Sequence, residues 1–131
     1  MNEVFEYLKN CGAFYLATVE GDQPRVRPFG AIDVFEDKLY IQTGKIKKVS
    51  AQMKTNPKVE ICGMENNNSW IRIEASVIED DRLEAKQHML DANPSLKSMY
   101  AADDGNTEVL YLKDVTATIY SFTVEPKTIR F

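Results

Sequence analysis

Gly21-Asp22-Gln23-Pro24-Arg25-Val26-Arg27-Pro28-Phe29 is the stretch from which the fold can be inferred. The residues before Pro24 have turn composition, and an extended run follows in which two prolines flank two arginines. Side chains two apart on a strand point to the same face, about 7 Å apart along the chain, so Arg25 and Arg27 should project together. The stretch therefore predicts a β-strand that presents two cations on one face.

The segments on either side of this stretch extend it into a β-meander. Ala13–Val19 is rich in aromatic and branched residues and predicts the preceding strand. Residues 25–35 read as one long extended segment, and Glu36-Asp37 turns the chain into a strand at 38–43. The first part of the chain therefore predicts three consecutive antiparallel strands.

The remaining patterns predict short strands and a few helices. Helical spacing is present at 3–11, where Gly12 is a plausible stop, and at 47–55, where Asn56-Pro57 ends the helix. Asp81-Arg82-Leu83-Glu84 matches a capping box at the start of a helix that runs to about Ala92. Further predictions are strands at 58–64, 69–78, 108–112 and 115–124, a short helix through residue 100 and an extended tail at 127–131.

These elements predict the fold class. The count is six or seven antiparallel strands with two or three flanking helices, and mostly short turns connect the strands. Such a count favours a small, mainly β split barrel of the Greek-key type over a doubly wound sheet. A length of 131 residues without a linker or repeat fits a single domain over 1–131.

The charge distribution indicates a specific anion site. The chain carries 16 Lys and Arg against 20 Asp and Glu, a net charge of −4, yet two short stretches hold five of the cations. A local positive site on an acidic protein favours a small anion over nucleic acid. No apolar run reaches the roughly 20 residues that span a bilayer, and the acidic N-terminus is unlike a signal peptide. We therefore expect no membrane or nucleic-acid partner and a cytoplasmic location, with both cysteines reduced.

The second cationic stretch is Thr43-Gly44-Lys45-Ile46-Lys47-Lys48, where a strand ends and a helix begins. Unpaired N–H groups at a helix start bind phosphate well, and Thr43 adds a hydroxyl donor. Gly44 allows close approach of the backbone, and the lysines add full charges. The alternatives are an edge strand protected by charge at Arg25 and Arg27, and an ordinary solvated lysine run.

Two further residues are candidates for a functional role, Trp70 as a ligand contact and His88 as a catalytic base. Trp70, the single tryptophan, shares a strand face with Arg72, opposite the apolar Ile71 and Ile73. That face lines a partner subunit or a flat ligand, or else exposes an aromatic on the barrel surface. His88 lies mid-helix among polar residues and is interpreted as a surface histidine.

In their order, these motifs resemble the flavin-binding split-barrel family related to pyridoxamine 5′-phosphate oxidase. The resemblance covers about residues 5–125. It rests on Gly-Asp-Gln-Pro-Arg-Val-Arg-Pro-Phe, then Tyr-Ile-Gln-Thr-Gly-Lys-Ile-Lys-Lys before a helix that ends at Asn56-Pro57, then Ser-Trp-Ile-Arg-Ile on a later strand.

The resemblance implies FMN bound at the interface of a homodimer. Residues 25–30 would run along the isoalloxazine ring and Arg27 would reach the phosphate. Gln52 would contact the flavin, and Trp70 and Arg72 would approach it from the second subunit. The cofactor-binding residues implied in this way are Arg25, Val26, Arg27, Pro28, Phe29, Thr43, Gly44, Lys45, Lys47, Lys48, Gln52, Trp70 and Arg72, with no distinction among the three lysines.

One departure from the family concerns activity. The family's vitamin oxidases have a longer C-terminal region with tryptophan and basic residues, whereas this sequence ends at Phe131 and holds one tryptophan. We therefore expect an FMN-dependent oxidoreductase acting on a small-molecule substrate or electron donor, such as a reduced nicotinamide, and no oxidation of the vitamin. The alternatives are a non-enzymatic flavin carrier, a deazaflavin- or haem-binding split barrel, and a nucleic-acid-binding barrel.

Overall fold

A computed structural model of the chain describes all 131 residues. The strands are β1 (Phe14–Glu20), β2 (Gln23–Phe29), β3 (Ile32–Phe35), β4 (Lys38–Gly44), β5 (Lys58–Asn66), β6 (Ser69–Glu79), β7 (Thr107–Ser121) and β8 (Lys127–Arg130). The α-helices are α1 (Asn2–Cys11), α2 (Lys48–Thr55) and α3 (Leu83–Ala92), and a 3₁₀ helix spans Pro94–Ser98. None of the helices has the length and apolarity to cross a membrane.

All eight strands join one antiparallel sheet that curls without closing. The order along the sheet is β2-β1-β5-β6-β7-β4-β3, and β8 pairs with β7. The two terminal strands of this path, β2 and β3, do not pair with each other. The prediction of a mainly β, antiparallel split barrel with flanking helices is therefore confirmed.

The predicted three-strand meander is wrong because the extended run from 25 to 35 is two strands. The strand run stops at Phe29, and β3 begins at Ile32. β2 pairs with β1, whereas β3 pairs with β4, so they end on opposite edges of the sheet. Pro24 and Pro28 have no N–H to donate to a further strand, which suits β2 to an edge position.

The two closing strands predicted at 108–112 and 115–124 form the single strand β7. Asp114 has a φ of 54°, and the pairing between β6 and β7 shifts register between Glu74 and Ser76. A bulge of this kind bends a strand without ending it. The predicted tail pairs with β7 as β8, and these three changes account for eight strands in place of six or seven.

The core lies on the concave side of the sheet. Ile71 and Ile73 of β6 are fully buried, as their alternation predicts, and α1 adds the fully buried Val4 and Leu8. Gly12 has a φ of 73° and ends α1 as expected, because this backbone conformation is free of strain only for glycine. In α2, Val49, Gln52 and Met53 are buried on one face, which confirms the predicted helix.

The predicted capping box at the start of α3 is wrong. The N-cap is Arg82, and no side chain accepts a hydrogen bond from the free N–H groups of the first turn. The Asp81 carboxylate accepts hydrogen bonds from Lys86 at 2.8 Å and from Lys45 at 3.2 Å. Two ammonium groups therefore compete successfully for the carboxylate that would otherwise cap the helix.

The two hairpin turns differ in a way that a pair of substitutions tests. Glu36 and Asp37 both have positive φ, 50° and 59°, whereas the β1–β2 turn has positive φ only at Gly21. Asp37→Gly should stabilise the fold by up to about 1 kcal/mol because it removes the steric penalty of the left-handed conformation. Asp22→Gly is the control. It should destabilise the fold by roughly 0.5–1 kcal/mol, because at this position glycine only increases the conformational entropy of the unfolded chain. Urea unfolding measures the free energy of unfolding of both variants. An equal decrease in the two variants would contradict the left-handed backbone at Asp37.

Candidate functional site

A cleft of about 350 Å³ opens where the free ends of the sheet approach each other. One wall is the end of β2 with the link to β3, from Arg27 to Ala31, and the end of β4 adds Gln42 and Thr43. The start of α2 and the 3₁₀ segment complete the lining with Lys47, Val49, Asn93, Ser95, Leu96, Met99 and Tyr100. The volume lies within the range of small-molecule pockets.

The cleft is cationic although the protein is acidic. Its lining includes Arg27 and Lys47 and no Asp or Glu. Neither cation has a carboxylate within 4.0 Å, in contrast to Arg25, Arg72 and Arg82, each of which forms an ion pair. The cleft is therefore suited to an anion.

Neutral groups hold Arg27 at the edge of the cleft. Its Nη1 donates to the Thr18 hydroxyl at 2.7 Å and to the Leu16 carbonyl at 3.2 Å, and its Nη2 donates to the amide oxygen of Gln52. Partial burial, together with the nearby Arg25, lowers the pKa of Arg27 from its usual value, and the Glu20 carboxylate opposes this shift. The guanidinium remains charged because arginine does not lose its proton in proteins.

The start of α2 offers unpaired backbone donors beside Lys47. Lys47 is the N-cap residue, and no side chain caps the helix. The N–H groups of Lys48 and Val49 have no acceptor within the chain. Such groups carry the positive end of the helix dipole and bind anions.

Gln42 is a site residue that the sequence analysis passed over. Its side chain is 6 % exposed, and neither the amide oxygen nor the amide nitrogen has a hydrogen-bond partner. A buried amide without partners costs about 1–3 kcal/mol, and it lines the cleft. Its place directly before Thr43 in the cationic motif was the available signal.

Close packing behind the cleft explains the glycine of the same motif. A Cβ at Gly44 would lie 3.0 Å from the Tyr100 hydroxyl and 3.1 Å from the Asn106 amide nitrogen. Any larger residue at position 44 would therefore require the side chains of Tyr100 and Asn106 to shift by a few tenths of an ångström. Gly44 shapes the wall of the cleft and is not part of its lining.

The structure brings together some of the residues predicted from the sequence. Arg27, Pro28, Phe29, Thr43 and Lys47 line the cleft. Lys48 begins α2 beside it, and Gln52 contacts Arg27 from the same helix.

Other predicted residues lie outside the cleft. Arg25 pairs with Glu20 at 3.1 Å, and Lys45 lies 3.2 Å from Asp81 and 3.6 Å from Glu79. Val26 is 68 % exposed on the outer face of β2.

Trp70 and Arg72 lie on the outer face of β6, away from the core. The Trp70 ring stacks on Tyr120 with 5.5 Å between centroids, and Arg72 pairs with Glu60 at 2.9 Å. Their predicted role as contacts from a second subunit stays a prediction.

His88 is held at a distance from the cleft lining. Its Nε2 lies 2.6 Å from the Asp33 carboxylate, and the Phe35 ring packs on the imidazole at 4.6 Å. The ring is one-third exposed and ties α3 to β3.

A buried carboxyl lies behind the cationic motif. Glu108 is directly opposite Thr43 in the β4–β7 pairing and is 1 % exposed, and its Oε1 has no partner. Burial, and to a lesser degree Glu79, raises the pKa of Glu108, and Ser50, Lys54 and Lys45 oppose the shift. The Ser50 hydroxyl is close, although it does not reach ordinary hydrogen-bond geometry.

Comparison with known proteins supports the family resemblance. The family model described as pyridoxamine 5′-phosphate oxidase matches residues 1–116. A search of the curated proteins found no significant match.

Solved structures share the fold along nearly the whole chain. A NimC/NimA family protein from Clostridium acetobutylicum is 53 % identical, with a TM-score of 0.97 over 100 % of this chain and 92 % of its own. The haem storage protein HutZ from Vibrio cholerae is 14 % identical, with a TM-score of 0.66 over 86 % and 87 % of the two chains. A pyridoxamine 5′-phosphate oxidase-related, FMN-binding protein from Nostoc punctiforme is 17 % identical, with a TM-score of 0.61 over 99 % and 91 %.

The buried Glu108 makes stability depend on pH in a predictable direction. Because the pKa of Glu108 is raised, the folded protein holds the carboxyl proton more tightly than the unfolded chain does. The free energy of unfolding therefore falls as the pH rises above the ordinary pKa of a glutamate. Glu108→Gln removes this effect and should stabilise the protein more at pH 8 than at pH 4.5, as measured by urea unfolding. Glu6→Gln, at an exposed carboxylate without a hydrogen-bond partner, is the control. An equal effect of Glu108→Gln at both pH values would contradict the assignment.

Proposed function

The chain belongs to the pyridoxamine 5′-phosphate oxidase family, and from this premise we propose that its cleft binds FMN in a small oxidoreductase. The single observation that carries the proposal is that cationic side chains without a carboxylate partner and unpaired backbone N–H groups meet at the cleft. Arg27, Lys47 and the first N–H groups of α2 surround a cleft whose lining contains no carboxylate. A phosphate would receive charged and backbone donors together, as anions do at other helix starts.

The rest of the cleft fits a flat heterocycle with polar edges. The Gln42 amide offers one donor and one acceptor that lack partners within the chain. The flavin ring has both acceptors and an N–H donor along its edge, so a single amide can pair with it twice. Phe29, Leu96 and Met99 add apolar surface nearby. The residues present therefore fit FMN.

The lining favours cofactor-based chemistry over side-chain catalysis. It contains no His, Cys or carboxylate, so Lys47 and Tyr100 are its only side chains of a type that commonly serves as an acid or base. When bound, FMN supplies the hydride or electron transfer, while the residues described above bind, orient and exclude water. We propose a reduced nicotinamide or a similar small molecule as electron donor. The unpaired Cys11 and Cys62 agree with the cytoplasm as the compartment.

We also propose that two copies of the chain assemble back to back on the outer face of the sheet. Tyr15 and Val26 are 51 % and 68 % exposed there, and Val26 is adjacent to Arg27 at the cleft. Exposed apolar residues next to a site are typical of interfaces. A second copy would cover them and bring its own residues close to the cofactor.

A non-enzymatic flavin carrier requires the same cleft and differs only in turnover. Turnover of NADH with a panel of acceptors distinguishes the two. Haem is less consistent with the site, because the only histidine is bonded to Asp33 outside the cleft lining. An absorption spectrum of the purified protein separates flavin from haem.

The assignment of the phosphate end is tested with two neighbouring lysines. Lys47→Gln should weaken FMN binding by about ten-fold, because a charged contact contributes roughly 1.5 kcal/mol. Lys45→Gln is the matched control, since Lys45 is engaged by Asp81 and Glu79, and it should have little effect. Fluorescence titration with FMN and with riboflavin, which lacks the phosphate, measures both variants. Equal effects of the two substitutions on FMN affinity would contradict the phosphate site.

The proposed assembly is tested by placing a charge in the outer face. Val26→Asp should convert a dimer to a monomer at micromolar concentration, because the carboxylate would be desolvated in the interface. Leu83→Asp, at a residue 60 % exposed at the start of α3, is the control and should leave the dimer intact. Sedimentation velocity measures both. A monomeric wild-type protein, or a dimeric Val26→Asp variant, would refute the arrangement.

A further inference from the structure

Arg27 differs from the other paired arginines in the chemistry of its partners. Arg25, Arg72 and Arg82 each bond to at least one carboxylate. The side chain of Arg27 bonds only to a hydroxyl, an amide oxygen and main-chain carbonyls. Its position is therefore fixed, while its charge remains uncompensated by contact.

The two side chains that hold Arg27 are themselves buried and bonded to each other. Thr18 is 2 % exposed and Gln52 is 6 % exposed. The Thr18 hydroxyl donates to the Gln52 amide oxygen at 2.6 Å and accepts from Arg27 at 2.7 Å. The three groups form a closed ring of hydrogen bonds across β1, β2 and α2, which restricts the guanidinium to one place.

The orientation of the Gln52 amide is defined by its surroundings. The oxygen accepts from both Thr18 and Arg27, and the nitrogen donates to the Glu20 carboxylate at 3.4 Å. A reversed amide would place its NH₂ group against a guanidinium, which cannot accept a hydrogen bond. The oxygen is therefore held toward Arg27.

Gln52 also connects Arg27 to the start of α2. It lies four residues after Lys48, one helical turn further along the same face. Because α2 provides both Gln52 and the unpaired N–H groups of its first turn, it fixes the distance between these groups and the Arg27 guanidinium. An anion bound between them would meet donors that need no rearrangement.

We propose that Thr18 and Gln52 are positioning residues that hold Arg27 for the anionic end of the ligand without cancelling its charge. This inference rests on the proposed function, because the ligand's phosphate is the group that Arg27 would meet. In this arrangement Gln52 acts through Arg27 and does not contact the ring. A glutamate at position 52 would place one carboxylate oxygen against the guanidinium and neutralise its charge, while the other oxygen would face Glu20 without a donor.

The test measures affinities for FMN and riboflavin side by side, since only FMN has the phosphate. Thr18→Val removes the hydroxyl with little change of shape and should weaken FMN binding by about ten-fold while riboflavin binding is unchanged. Thr18→Ser restores the hydroxyl and should bind FMN within about threefold of wild type. Gln52→Glu should weaken FMN binding by about ten- to a hundred-fold, again without loss of riboflavin binding.

Several outcomes would overturn the inference. FMN affinity that is unchanged in both Thr18→Val and Gln52→Glu would show that Arg27 does not need these partners. Equal loss of FMN and riboflavin in Gln52→Glu would indicate a direct contact with the ring. If Thr18→Val does not fold, as judged by its melting curve, the comparison of Gln52→Glu with wild type decides alone. A wild-type protein that binds neither flavin refutes the proposed function itself, whereas normal wild-type binding with unaffected variants refutes only the positioning role.

Discussion

The gap between β2 and β3 is the constraint on which the rest of the structure depends. These two strands are separated by only two residues, yet one pairs with β1 and the other with β4, so the sheet curls until its ends approach without joining. Pairing across this gap would fill the space with a ladder of hydrogen bonds. Since the ladder is absent, the side chains and free backbone groups at this edge can face a ligand, and the start of α2 reaches the same place.

The chemical character of the gap depends on which cations form ion pairs with carboxylates and which do not. An acidic protein has enough carboxylates to pair with many of its cations, and Arg25, Lys45, Arg72 and Arg82 are paired in this way. Arg27 bonds only to neutral acceptors, since the nearby Glu20 carboxylate bonds to Gln52 instead, and the Lys47 side chain has no acceptor. The positive character of the cleft lining therefore arises from the absence of carboxylates as much as from the presence of cations.

Local patterns in the sequence predicted local structure well. The alternation of β6 and the helical spacing of α2 depend on the faces that one element buries, and both were confirmed. Predictions that depended on competition between elements were wrong. Asp81 does not cap α3 because its carboxylate accepts hydrogen bonds from Lys45 and Lys86 instead. β7 continues through Asp114 because its pairing with the neighbouring β6 shifts register there.

The sequence by itself determined the split-barrel class, the helix stops and the set of cations from which an anion site could be built. These features follow from short-range periodicity and residue type, which can be read from each segment without knowledge of its neighbours in space. Only the tertiary structure decided which cations meet: Lys47 faces the cleft, and Lys45, two residues earlier, faces Asp81. It also revealed the unpartnered Gln42 amide and the neutral partners of Arg27. Burial and partner choice depend on residues distant in sequence, so no local pattern encodes them.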